Sequence, residues 1–221
     1  MLRQILPDSR LAENMADREK LLEILNRIIT DIGENRQFLT ELDNVIGDGD
    51  HGINMDRGFK AVAEQLPAYQ GMQVDEILID VGKLLIRIVA GSSGPLYGSA
   101  FKKAGMTIKG KTEITMEDYL VMMDAAIAKI QDLGGAVCGE KTMLDSIIPA
   151  QNAIRTSYET DKDVQKAFAA GVAAAEAGVE YTKTIIATKG RAAYLGERSL
   201  GHQDPGATSY TIILKCIAAA L

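Results

Sequence analysis

The 221 residues are 47% hydrophobic and 24% charged, the balance of a soluble globular domain with one substantial core or two small ones. A net charge of −6 without any dense Lys/Arg cluster excludes a nucleic-acid surface, and no apolar run reaches the length of a membrane span. Two cysteines without metal-ligand spacing, and an N-terminus lacking an apolar signal core, predict a reducing, cytoplasmic setting.

The dominant period is helical. From about Arg18 to Leu42, Leu21, Leu22, Leu25, Ile28, Ile29, Ile32, Leu39 and Leu42 recur at three- and four-residue steps, with Gly33 read as a bend. Val74 to Val89 repeats the pattern. Thr115 and Asp118 form a capping-box signal for a helix running to about Leu133. The Ala-rich stretch from Asp163 to about Ile186 has strong helix propensity, and a last helix spans about Ser209 to Ala220. Strand signals are scarce, since nothing alternates for more than a few residues. The expectation is an all-α bundle of roughly seven or eight helices. Glycines concentrate in four connections, Gly47–Gly52, Gly91–Gly98, Gly134–Gly139 and Gly190–Gly206, which an up-and-down bundle can gather at one rim.

The most informative connection carries Asp43, Asp48 and Asp50 within eight residues. Like charges this close repel by about 1 kcal/mol per pair at 4 Å in water, and several-fold more in a partly dry site. A fold that gathers them usually supplies a cation, and hard carboxylate oxygens suit Mg²⁺ or Ca²⁺. An open all-Asp site favours magnesium with a phosphorylated ligand, while a solvated acidic loop accounts for the same residues. Gly91-Ser92-Ser93-Gly94-Pro95 leads into a helix with Pro95 in its first turn, and such a start is an anion cradle or a plain turn. Gly139-Glu140-Lys141-Thr142 resembles a P-loop ending but fails, because Glu140 separates glycine from lysine and no strand precedes it. The stretch from Thr188 to Ala207 is a long polar loop, with Arg191 able to face a phosphate bidentately.

Four segments in order, LDNVIGDGDHGINMDRGF, GSSGPLYGSAF, GEKTMLDSIIPA and KGRAAYLGERSLGHQDPGATS, resemble the L subunit of dihydroxyacetone kinases, which also occurs as the C-terminal domain of single-chain ATP-dependent versions. The resemblance covers residues 17–221 as a nucleotide-binding helical domain and leaves 1–16 as an extension. It implies an eight-helix, up-and-down antiparallel barrel with the nucleotide site at one rim, holding ADP or ATP and two Mg²⁺. It assigns Asp43, Asp48 and Asp50 to metal; His51, Gly52, Ile53, Asn54, Ser92 and Ser93 to nucleotide and phosphate contacts; Gly134 and Met143 to the adenine pocket; and Arg191, Asp204, Pro205 and Gly206 to the late loop. The implied partners are a K subunit that holds dihydroxyacetone on a histidine and an M subunit that rephosphorylates ADP from a phosphohistidine. Neither His51 nor His202 is expected to carry the phosphoryl group, and His202 is read as structural, bonded within its own loop. Two further readings stay open: a subunit exchanging ADP for ATP, and a nucleotide-loaded module that binds a transcription regulator.

Overall fold

The side chain of Asp17 accepts the backbone N–H of Lys20 at 2.9 Å, and with this cap the first helix begins. The computed structural model describes residues 14–221; the rest of the predicted 1–16 extension lies outside the described residues. The helices are α1 (Arg18–Glu34), α2 (Arg36–Ile46), α3 (His51–Tyr69), α4 (Val74–Ile88), α5 (Ser93–Thr107), α6 (Met116–Gly134), α7 (Leu144–Asp161), α8 (Val164–Thr182) and α9 (Pro205–Ala220). None of them is long and apolar enough to cross a membrane. Only Asn35 separates α1 from α2. Its backbone N–H and its side-chain amide both donate to the Asp31 carbonyl, at 3.0 and 2.8 Å, and this local competition breaks the helix there rather than at Gly33. With α1 and α2 counted as one interrupted rod, the ring has the eight members expected.

Each helix packs on its successor, and α9 returns to α1, so the all-α array closes on itself. The closure is tied by Lys20 Nζ donating to the Ala220 carbonyl at 2.8 Å and by Cys216 Sγ donating to Asp31 Oδ2 at 3.1 Å. The core draws on the predicted stripes, with Leu25, Ile28, Ile32 and Leu39 from α1 and α2 and Val81 and Leu85 from α4, joined by Phe59 from α3, all essentially inaccessible to solvent. Burying such a side chain stabilises by about 1.5–3 kcal/mol. Between α4 and α5 the backbones nearly touch. A Cβ on Gly98 would lie 2.5 Å from the Gly82 carbonyl oxygen, and one on Gly82 would lie 2.5 Å from the Lys102 amide. Inside the ring lies an apolar cavity of about 130 Å³, walled in part by Leu25, Phe101, Met122 and Ile213.

Two departures from the sequence reading concern short elements. Residues Asn14–Asp17 (β1) pair antiparallel with Glu113–Thr115 (β2), drawing Met15 and Ala16 into the fold beside the start of α6. The long polar stretch is not structureless: Arg191–Ser199 forms a 3-10 segment kinked at Gly196. Ala187 and Ala192 bury against Ile46, with Leu195 beside them, and this small cluster docks the segment on the end of α2. The last helix begins at Pro205 rather than near Ser209, because Asp204 Oδ2 accepts the Ala207 N–H at 2.7 Å and proline suits the first position.

Candidate functional site

One end of the ring carries a cavity of about 250 Å³, and all four glycine-rich connections contribute to its wall. Asp43 projects from the last turn of α2; Asp48 and Asp50 follow in the turn before α3. One ligand oxygen from each lies within 4.8 Å of the others, with Asp43 buried, Asp50 half-buried and Asp48 open. The loop is shaped around Asp43, whose Oδ2 accepts the N–H groups of Asp50 at 2.9 Å and His51 at 3.1 Å. Glycine is required at position 47, where a Cβ would stand 2.0 Å from Asp43 Oδ1. Gly49 has φ +74°, a left-handed value that other residues adopt only with strain. Arg191 supplies the local counter-charge, its guanidinium 2.7 Å from Asp48 Oδ2. Three oxygen donors around one point, one held rigidly and two near the opening, fit a hard divalent cation that also reaches a ligand in the cavity.

Ser92 and Ser93 open α5, whose first-turn N–H groups have no intrahelical acceptor and suit an anion. His51 joins this edge to the far side of the site. Its Nδ1 lies 3.0 Å from Ser93 Oγ and its Nε2 2.9 Å from Ser209 Oγ, which in turn sits 2.8 Å from the Tyr97 hydroxyl. Burial lowers the His51 pKa to about 4, against the opposing pull of Asp43. The ring is therefore neutral at neutral pH, and both of its nitrogens are engaged by serine hydroxyls. Leu96, Ile130, Gly134, Ala136 and Met143 make an apolar wall across the cavity, suited to a flat ring.

The late segment closes the site. Asp204, Pro205 and Gly206 line it at the start of α9, and the Asp204 N–H donates to Thr182 Oγ1 at 2.9 Å. Burial raises the Asp204 pKa to about 7, with the Ala207 N–H opposing. Of the residues singled out by sequence, Asp43, Asp48, Asp50, His51, Ser92, Ser93, Gly134, Met143, Arg191, Asp204, Pro205 and Gly206 all line this one cavity. Gly52, Ile53 and Asn54 do not. They occupy the first turn of α3, where Gly52 meets the Arg36 carbonyl and Thr40 of α2, Asn54 is buried and Ile53 is exposed. His202 is exposed, and its main-chain carbonyl is engaged by Lys141 of another segment rather than within its own loop. Lys141 and Thr142, set aside in the sequence with the failed P-loop ending, also line the cavity, as do Lys189 and Tyr97, which the sequence does not single out. Tyr97 carries no local signal, because its partner Ser209 lies 112 residues away.

The DAK2 domain profile matches residues 45–219. The chain is 39% identical over 203 residues to the PEP-dependent dihydroxyacetone kinase, ADP-binding subunit DhaL, of Escherichia coli K12, covering 92% of this chain and 97% of that one. It is 41% identical over 188 residues to the corresponding subunit of dihydroxyacetone kinase 2 of Listeria innocua, covering 84% and 87%. Among solved structures, the dihydroxyacetone kinase of C. freundii in complex with AMP-PNP and Mg²⁺ superposes with a TM-score of 0.72 at 24% identity. This chain is covered in full there but spans 37% of that protein's length, and the likeness shows the fold alone.

Proposed function

This chain belongs to the DAK2-domain family of dihydroxyacetone kinase ADP-binding subunits, and on that premise we propose that it relays a phosphoryl group through a nucleotide held at the rim cavity. In this reading the group comes from a phosphohistidine on an M subunit and goes to dihydroxyacetone held on a K subunit. The observation that carries it is the meeting of three ligand oxygens within 4.8 Å on the wall of the same cavity that the start of α5 and the 204–206 turn also line.

Asp43, Asp48 and Asp50 would hold the magnesium. Bound with the nucleotide, magnesium neutralises phosphate charge and aligns the transfer. The chain's own groups do the rest. Ser92, Ser93 and the N–H groups opening α5 bind the phosphates, the Leu96–Met143 wall takes the base, and His51 holds Ser93 and Ser209 at a fixed separation. Val137, Ile186, Tyr194 and Leu200 are exposed on segments that border the cavity, an apolar rim suited to docking the two partners in turn.

Calorimetry with Mg-ADP tests the reading. Asp48→Asn and Asp50→Asn each remove a charge and a ligand, and each should weaken binding at least tenfold with an unchanged helical circular dichroism spectrum. Wild-type affinity in Asp50→Asn would remove that residue from the metal set, and absence of Mg-ADP binding by the native protein would end the proposal.

A further inference from the structure

Lys141 is the largest charged side chain withdrawn from solvent among the described residues, with 1% of its surface accessible. Its backbone has φ +62°, a left-handed conformation that costs a residue with a Cβ on the order of 1 kcal/mol and persists only where surrounding contacts over-determine it. Those contacts are visible. The Nζ donates to the carbonyls of Thr182 and His202, and to that of Ile185 at 3.5 Å. An ammonium has three N–H donors, and here three carbonyls take them. Its ammonium is thus turned to main-chain carbonyls, which separates this lysine from the P-loop lysine that its Gly-Glu-Lys-Thr setting superficially suggests.

The acceptors lie at the two ends of one long connection. Thr182 closes α8, and its carbonyl is among those left without an intrahelical donor at the negative end of the helix. Ile185 begins the connection, and His202 stands just before the turn into α9. Neutral bonds reinforce the clasp: the Gly201 N–H donates to the Lys183 carbonyl at 2.8 Å, and the Asp204 N–H to Thr182 Oγ1. The lysine's own segment is fixed from below by the fully buried Asp145, which accepts the N–H groups of Gly139 and, at 2.8 Å, Thr142. Burial pulls the lysine pKa down, while the carboxylates of Asp204 and Asp145 oppose that shift.

We propose that Lys141 is a positioning residue whose ammonium clasps both ends of segment 183–204 to the cavity floor, holding Arg191 and Asp204–Gly206 in place before any ligand arrives. The clasp itself rests on geometry alone; its consequence for nucleotide rests on the function proposed above.

Hydrogen–deuterium exchange on the nucleotide-free full chain reads the clasp directly. Lys141→Met keeps the side-chain length, removes the donors, and should speed exchange at least tenfold across 183–204 while leaving α3 to α5 unchanged. Mg-ADP should then dissociate at least tenfold faster, and Lys141→Arg, which keeps the charge but spreads its donors, should fall between. Unchanged exchange in 183–204 overturns the proposal. Should Lys141→Met fail to fold, the native protein decides: a lysine ammonium resonance protected from solvent exchange at neutral pH supports the clasp, and its absence refutes it. If the native protein binds no Mg-ADP, the functional reading falls while the exchange comparison still judges the clasp.

Discussion

At Asp204 one carboxyl caps a helix, lines the cavity and sits where burial raises its pKa to about 7. A group whose folded pKa lies above its unfolded value contributes stability that is complete below the unfolded value near 4 and is lost as pH rises through 7. Asp204→Asn removes this titration and retains an acceptor for the Ala207 N–H. Denaturant unfolding of the ligand-free protein should therefore show the variant gaining on the native chain from pH 4 to pH 7, with a slope of up to about 1.4 kcal/mol per pH unit. Parallel pH profiles would contradict this. The Asp43, Asp48 and Asp50 cluster was legible because its charges crowd one short stretch of chain. Lys141 was not, since its acceptors lie 41, 44 and 61 residues further on, and only the fold brings them together.

Between elements, the tightest constraint is the glycine contact of α4 with α5. A methyl at position 98 would meet backbone, 2.5 Å from the Gly82 carbonyl and 2.7 Å from the Ile86 amide, so the helices must separate to admit it. Gly98→Ala should cost roughly 1–3 kcal/mol in thermal or denaturant unfolding, in spite of alanine's better helix propensity. A neutral or stabilising outcome would show that the pair slides without loss. Most helices were readable from periodicity and caps. The capping box at Thr115 forms as expected, with the Asp118 N–H reaching Thr115 Oγ1 at 3.2 Å and the Asp118 carboxylate reaching back to the Thr115 N–H at 3.1 Å. The β1–β2 pair was hidden, because strands of four and three residues are too short to show alternation and their partners are far apart in sequence. The 3-10 segment was hidden for a different reason: its apolar anchors are few, Ala192 and Leu195 beside the preceding Ala187 on Ile46 of α2, and its remaining side chains read as polar loop.

For the molecule as a whole, binding at the rim links segments from α2 through α9. Mg-ADP at about a hundred times its Kd should add about 2.7 kcal/mol to the folded state. For a chain of this size that raises Tm by roughly 5–10 °C, a shift that scanning calorimetry should record and that EDTA should abolish. No shift would mean that the rim does not hold the ligand. The closed ring has a further consequence during synthesis. Since α9 joins α8 to α1 and opens with Pro205 and Gly206 behind its cap Asp204, a nascent chain short of this helix is an open row with bared flanks and an incomplete cavity. Until α9 docks, the faces that α1 and α8 turn toward it have no partner and the cavity lacks its Asp204–Gly206 wall, so closing the core and finishing the site depend on the same helix.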